Sequence, residues 1–255
     1  MNNELLVNTA VLAGEIMLSG GAETYRVEDT MNRMLKMSGL AVTETVATTT
    51  GIYVTLSDKS INTITYIKRV NVRNNNLGKI YEVNEVSRRF CSDRITLEEA
   101  NDKLHALSNM QTYHRYIIYL CTIITAAFFT VLYGGNTVDF AIGALNGGLL
   151  ALFSFLFSKV RVNLFIHNMI SALLVTISSA VFLKFFPSDI NITVLLSGSI
   201  TPLVPGVAIT NAIRDTFQGD YMSGGARAIE AFVAATSISV GVGVGLAIFR
   251  VYVMI

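Results

Sequence analysis

Between residues 197 and 206 an otherwise apolar run reads Ser-Gly-Ser-Ile-Thr-Pro-Leu-Val-Pro-Gly. Each proline lacks an N–H and clashes with the carbonyl four residues back, so Pro202 and Pro205 free the carbonyls of Gly198 and Thr201. Thr201 and Val204, which precede the prolines, are pushed away from helical angles. In an apolar environment such freed carbonyls are tolerated only against protein or a water-filled cavity. Ser199, Thr201, Pro202, Pro205 and Gly206 are therefore expected to border a path or binding site. The alternative is a simple kink whose carbonyls are bonded by the hydroxyls of Ser197, Ser199 or Thr201.

Charges follow at once: Arg214 and Asp215, then Asp220, then Arg227 and Glu230. Arg227 and Glu230 are three apart and share a helix face. Charges at the edge of an apolar segment usually pair or line a pathway. Arg214 and Arg227 can grip a carboxylate, and Asp215, Asp220 or Glu230 can exchange a proton. The bland alternative is a polar loop with interfacial anchors. A second charged cluster, Glu23, Arg26, Glu28 and Asp29, lies near the N-terminus and invites thoughts of metal or hydrolytic chemistry. Nothing completes such a site: there is no His/Cys ligand cluster, no Gly-x-Ser-x-Gly and no P-loop, so helix-start acids and a charged surface are preferred, with no metal and no cofactor expected. Asp139, His167 and Asn168 are weaker candidates near the ends of apolar stretches.

Two kinds of element must position these groups. Of 255 residues, 52% are hydrophobic and 15% charged, but the first 115 hold 13 of the 19 Lys+Arg and 13 of the 18 Asp+Glu. Two solvents are implied, water for residues 1–115 and lipid for 116–255. The polar part is electrically balanced, which leaves no field for nucleic acid. Cys91 and Cys121 fall in the two different parts and are not expected to pair.

Within the polar part, Leu5, Leu12 and Ile16, then Val27, Met31, Met34 and Leu35, recur at helical spacing. The first of these helices is expected to be amphipathic, and Glu4 and Glu15 argue against a signal peptide. Between them lies Ser19-Gly20-Gly21-Ala22-Glu23-Thr24, with the Thr24 hydroxyl expected as N-cap. Val42, Val46, Ile52, Val54 and Leu56 alternate against Thr45, Thr49, Tyr53 and Thr55, which predicts strands, with Ile61 to Val70 as a hairpin partner. Leu77 to Phe90 and Thr96 to Leu107 return to helix, the latter opening on a capping box, Thr96-Leu97-Glu98-Glu99. The fold is thus an α+β domain with helices on a small antiparallel sheet, followed by a helical bundle.

The lipid part holds about five spans of the length a bilayer needs: Tyr116 to Tyr133, Thr137 to Phe157, Leu164 to Phe186, Ile190 to Ile213 and Ala226 to Ile255. Gly143 with Gly147, and Gly241 with Gly245, are small-xxx-small pairs for close packing. With the polar domain in the cytosol, Arg115, Lys159, Arg161, Arg214 and Arg227 fall inside and Lys184 and Arg250 outside, as the positive-inside rule prefers; the C-terminus is then outside.

Taken in order, Ala13-Gly14-Glu15, Ser19 to Asp29, Thr48 to Ile52, Val83-Asn84-Glu85-Val86-Ser87-Arg88, Pro202 to Gly206, Arg214-Asp215, Gly219-Asp220, and Ser223 to Arg227 with Glu230-Ala231 resemble the threonine/serine exporter (ThrE-like) family. Full-length members look like a polar domain followed by about ten spans. The chain therefore looks like the larger half of a split exporter of the YjjP/YjjB type, a type linked to succinate export. The resemblance implies proton-coupled efflux of threonine/serine or a dicarboxylate such as succinate across a bacterial cytoplasmic membrane. It also implies a small all-membrane subunit as partner and an oligomeric assembly. On this basis the break from Pro202 to Gly206 forms the substrate path, Arg214 and Arg227 grip the carboxylate, and Asp215, Asp220 or Glu230 carries the proton. A membrane-anchored hydrolase and a non-transporting scaffold are the competing readings.

Overall fold

The computed structural model describes residues 2–59, 61–71, 75–110, 113–157 and 163–252. The polar region builds α1 (Asn3–Ser19), α2 (Thr24–Lys36), strands β1 (Val42–Thr48), β2 (Gly51–Asp58) and β3 (Ile61–Arg69), α3 (Leu77–Cys91) and α4 (Leu97–Asn109). The apolar region builds α5 (Arg115–Leu132), α6 (Thr137–Phe157), α7 (Leu164–Phe185), α8 (Ile192–Ile200), a 3-10 turn (Thr201–Leu203), α9 (Gly206–Phe217) and α10 (Tyr221–Tyr252). Contacts group these into two units: Met1–Thr112 with Val207–Ile229, and Tyr113–Gly206 with Glu230–Ile255. Charge density alone placed the boundary after Arg115. Packing also assigns α9 and the start of α10 to the first unit, because α9 buries its polar residues Asn211 and Asp215 there.

The first unit is organised around α1. Expected to be amphipathic, α1 is instead buried nearly all round, with Leu6, Ala10, Ala13, Met17 and Leu18 inaccessible. A helix apolar on every side belongs inside a core. Full burial of each large side chain here contributes about 1.5–3 kcal/mol. Val27, Met31, Met34 and Leu35 of α2 close over it, and Gly14 admits α2 closely, since a Cβ there would sit 2.2 Å from Met31 Sδ.

The sheet is antiparallel in the order β1-β2-β3. Ile52, Val54 and Leu56 face the core, as the alternation predicts, but β1 is turned the other way: Thr45 and Ala47 are buried while Val42 and Val46 are exposed. Register is the reason. Ala47 pairs with Ile52 and Val46 with Tyr53, and directly opposed residues share a face of the sheet. The capping box of α4 forms, with Thr96 Oγ accepting from the Glu99 N–H and the Glu99 carboxylate accepting from the Thr96 N–H. Cys91 and Cys121 are unpaired.

The second unit inverts the pattern of a water-soluble core. Many of its buried positions are small or polar, among them Ala126, Thr130, Asn146, Ser171, Ala172, Thr176, Ser179 and Ser199, beside a few large ones such as Leu150 and Leu195, whereas Phe128, Leu132, Leu152, Leu156 and Phe232 are exposed. That is the arrangement expected of helices whose solvent is lipid, where association depends on close packing and buried polar contacts. Among the described residues four helices are long and apolar enough to cross a membrane, α5, α6, α7 and α10 as far as Arg250; α8 with the 3-10 turn and α9 qualify only together, as a bent pair, which makes up to five.

The glycine pairs serve packing, as expected. Gly143 and Gly147 lie against Thr130 and Ile123 of α5, and Gly241 and Gly245 against Met169 and Thr176 of α7. Gly198 of α8 approaches α5 closest of all: a Cβ there would lie 2.4 Å from the Thr130 backbone. Lys159 and Arg161, counted as inward-facing bases, lie outside the described residues.

Candidate functional site

Two segments some 190 residues apart in sequence meet inside the first unit. On one side is the turn between α1 and α2, where Gly21 adopts φ 88° and points backbone groups toward α9 and α10. On the other, Asn211 and Asp215 occupy one face of α9 four residues apart, and Ser223 and Arg227 occupy one face of α10 at the same spacing. Gly219, also at φ 88°, turns the chain between the two helices.

The contacts interlock. Asn211 Nδ2 donates to the Gly21 carbonyl at 2.8 Å, and Arg227 Nη2 donates to the Ala22 carbonyl at 2.8 Å. The Thr24 N–H and hydroxyl reach Asp215 Oδ1 at 3.2 and 3.1 Å. Arg227 Nε stands 3.0 Å from Asp215 Oδ2, an ion pair with 6% and 0% of the two side chains exposed. The contact lies off the N–H axis and so is ionic in character. Glu23 pairs with Arg214 and, at 3.5 Å, with Arg26. Asp220 caps α10 by accepting from the Ser223 N–H at 3.0 Å, and its other oxygen lies 2.8 Å from Thr24 Oγ1.

Thr24 is thus not the N-cap of α2 that spacing suggests. Glu23 takes the cap position without a side-chain cap bond, and the Thr24 hydroxyl is spent on the two aspartates. Asp215 itself accepts from the first N–H of α2, where the helix dipole favours a negative charge.

Burial pushes the Glu23 carboxyl up, but its backbone bond, Arg214 and Arg26 outweigh it and hold it below the usual range. Asp220 is likewise held low against burial, by Ser223, Thr24 and Arg227. Glu28 goes the other way: burial raises it, the Ala47 N–H offsets part of this, and the charges of Asp220 and Asp215 add to the rise.

Among residues singled out from sequence, Glu23, Arg214, Asp215, Asp220 and Arg227 converge, and Glu28 lies close enough to feel both aspartates. Asp29 is elsewhere, in an exposed pair with Arg33 at 2.9 Å. Arg227 takes its ion pair to Asp215, and Glu230 is exposed and groups with the second unit. Among the described residues no three His, Cys, Asp or Glu side chains form a group fit for a metal.

The break is present as expected. Thr201–Leu203 tighten to a 3-10 turn and Val204 is extended at ψ 128°. The freed carbonyls are satisfied differently from either expectation: Gly198 accepts from the Thr201 N–H and Thr201 from the Val204 N–H at 3.1 Å. Tightening the turn does what hydroxyls or water were expected to do. The Thr201 hydroxyl donates to the Ser197 carbonyl at 2.8 Å, an ordinary back-bond. Pro202 and Pro205 are half-buried and Gly206 is exposed.

Ser199 is fully buried and joins a node that sequence reading missed: Asn146 Nδ2 of α6 donates to Ser179 of α7 at 2.9 Å and to Ser199 of α8 at 3.0 Å. A lone amide in an otherwise apolar span was the available signal. Asn211 was also missed, although its spacing of four from Asp215 marks it. Asp139 is buried as a local brace, accepting from the Asn136 and Asn191 N–H groups at 3.2 Å. His167 lies 3.4 Å from the Ser154 hydroxyl and against Phe153.

The model of the threonine/serine exporter (ThrE) family matches residues 8–249. A threonine/serine exporter of Corynebacterium glutamicum is 23% identical over 260 residues, covering 94% of this chain and 50% of that protein. An uncharacterized protein of Schizosaccharomyces pombe is 23% identical over 184 residues, covering 68% of this chain and 22% of that protein. The chain thus spans about half or less of the length of these relatives. No solved structure matches. With the family model covering nearly its whole length, both charged clusters and the helix break included, the chain belongs to the threonine/serine exporter family, a family of membrane transporters.

Proposed function

We propose that the chain is the larger subunit of a secondary-active exporter that moves small carboxylates, threonine/serine or a dicarboxylate such as succinate, out of the cytosol with the proton motive force. In this reading it sits in a bacterial cytoplasmic membrane with residues 1–115 in the cytosol. In this reading a small all-membrane subunit of the same family joins it in a hetero-oligomer.

One observation carries the proton coupling. Thr24 Oγ1 lies 3.1 Å from Asp215 Oδ1 and 2.8 Å from Asp220 Oδ2. A hydroxyl has one proton to give, so it serves both carboxyls fully only when one of them is itself protonated and donates to Thr24, and otherwise shares its proton between them. With Asp215 paired to Arg227 and Asp220 held low, such a proton is taken up only in passing, and the shared hydroxyl supports these two aspartates as its carriers. Asp215, Asp220 and Glu230 are the exchanging acids of this reading. Arg214 and Arg227 balance the site's charge when the proton leaves. The α8–α9 break, with Ser199, Thr201 and Gly206, borders the substrate path.

The test is efflux of labelled threonine, serine or succinate from preloaded cells expressing this chain with and without a candidate five-span subunit. Efflux of one cargo only with both chains present is expected; no efflux of any, from correctly inserted protein, overturns the exporter reading. Asp220→Asn and Thr24→Val should then abolish proton-driven uphill efflux while sparing exchange of labelled for unlabelled cargo. Unchanged uphill efflux in both variants would overturn the proton assignment.

A further inference from the structure

The stretch Val83 to Arg88 is left without a role by the site above, yet the fold gives it one. Thr30 of α2 and Asn84 of α3 meet across the floor of a groove, Oγ1 to Oδ1 at 3.4 Å, and Asn84 Nδ2 is tied back to the Ile80 carbonyl at 2.9 Å. Arg26 stands on the α2 wall and Arg88 on the α3 wall, and two adjoining hollows of about 230 and 190 Å³ share Arg26, Asn84 and Arg88. The buried Ser87 contributes to the second hollow. Arg88 has no ion pair among the described residues, and Arg26 has only its long 3.5 Å contact to Glu23, with 42% of its side chain exposed. Arg33 is already engaged by Asp29, and Glu85 is the remaining acid beside the groove.

We propose that this groove between α2 and α3 is a second binding site, for a small carboxylate, held by Arg26 and Arg88 over a floor of Thr30 and Asn84. Paired guanidinium groups favour the planar, two-oxygen geometry of a carboxylate. Hollows of this size lie below the range that takes drug-sized molecules, so the ligand is small. The choice of carboxylate rests on the transport reading above; the groove itself does not. Occupancy reaches the main site through one side chain, because a carboxylate that engages Arg26 competes with Glu23, and Glu23 is the partner of Arg214. The groove is thereby a sensor of the cargo, apart from the path that carries it.

The experiment is calorimetric titration of the full chain, purified in detergent, with serine, threonine, succinate and inorganic phosphate in turn. One carboxylate binding event that weakens about 10- to 100-fold in Arg88→Ala, as expected for loss of a charge-assisted hydrogen-bonding partner, and recovers in part in Arg88→Lys supports the site. Arg88 is exposed, so unaltered thermal unfolding of the variant separates lost binding from lost fold. Binding unchanged in Arg88→Ala overturns the proposal, and phosphate binding as tightly as the carboxylates overturns the assignment of the ligand. The titration needs no transport: loss of a binding event in Arg88→Ala, when this chain and the candidate subunit together export nothing, leaves the site standing and removes the exporter reading, whereas efflux with Arg88-independent binding does the reverse.

Discussion

The ion pair between Arg227 and Asp215 makes the sharpest energetic prediction. At 3.0 Å, and with an effective dielectric of about 20, the Coulomb attraction is roughly 5.5 kcal/mol. Desolvation of both ions offsets much of it, so the pair itself contributes little net stability; deleting one partner is different, because it leaves the other charge buried and alone. Asp215 is inaccessible, and Arg227→Met is therefore expected to cost about 3–5 kcal/mol. At about 2–4 °C per kcal/mol for a chain of this size, that is a fall of roughly 6–20 °C in unfolding temperature. Adding Asp215→Asn removes the stranded charge but keeps Oδ1 as acceptor for Thr24, so the double variant should regain about 2 kcal/mol or more while remaining inactive in efflux. Thermal unfolding of the purified protein and its variants measures both. A cost below about 1 kcal/mol for Arg227→Met, the behaviour of a solvent-exposed pair, or no rescue by Asp215→Asn, would refute the reasoning.

Three further outcomes follow from the same geometry. Glu28 binds its proton more tightly folded than unfolded, so it costs stability as pH rises above its ordinary value of 4.5. Glu28→Gln should match the wild type below that pH and gain on it above, in unfolding curves taken across pH; a constant difference would contradict the burial argument. Glu23, held low, behaves oppositely: its stabilisation is present above 4.5 and is lost as pH falls through its lower folded value, so Glu23→Gln should be most harmful at neutral pH and least in acid. In the second unit, Gly198→Ala places a Cβ 2.4 Å from the Thr130 backbone, which cannot yield as a side chain can. A loss of about 1–3 kcal/mol or more is expected, read as reduced membrane accumulation. Gly148→Ala, with nothing within 4 Å, is the control and should be neutral or slightly stabilising.

Much of this architecture was legible along the chain because it rests on local physics. The helices of Glu4 to Leu18 and Tyr25 to Lys36, the strands around Ile52 and Ile64, the capping box at Thr96 and the apolar spans all follow from periodicity, turn residues and length, which neighbours in sequence decide. The break at Thr201–Gly206 belongs to the same class, since a proline acts on the turn that precedes it. What lay beyond sequence was every decision made between distant segments. The face of β1 that is buried depends on its register with β2, so Val46 went out with Tyr53 and Ala47 in with Ile52. The fate of the carbonyls at the break depended on how tightly the turn closed. Above all, Thr24 read locally as a helix cap, and Asp215 as a loop acid; only packing α9 and the start of α10 against the α1–α2 turn brought them within hydrogen-bonding distance. Spacing tells which side chains share a face, and chain topology then decides which faces meet.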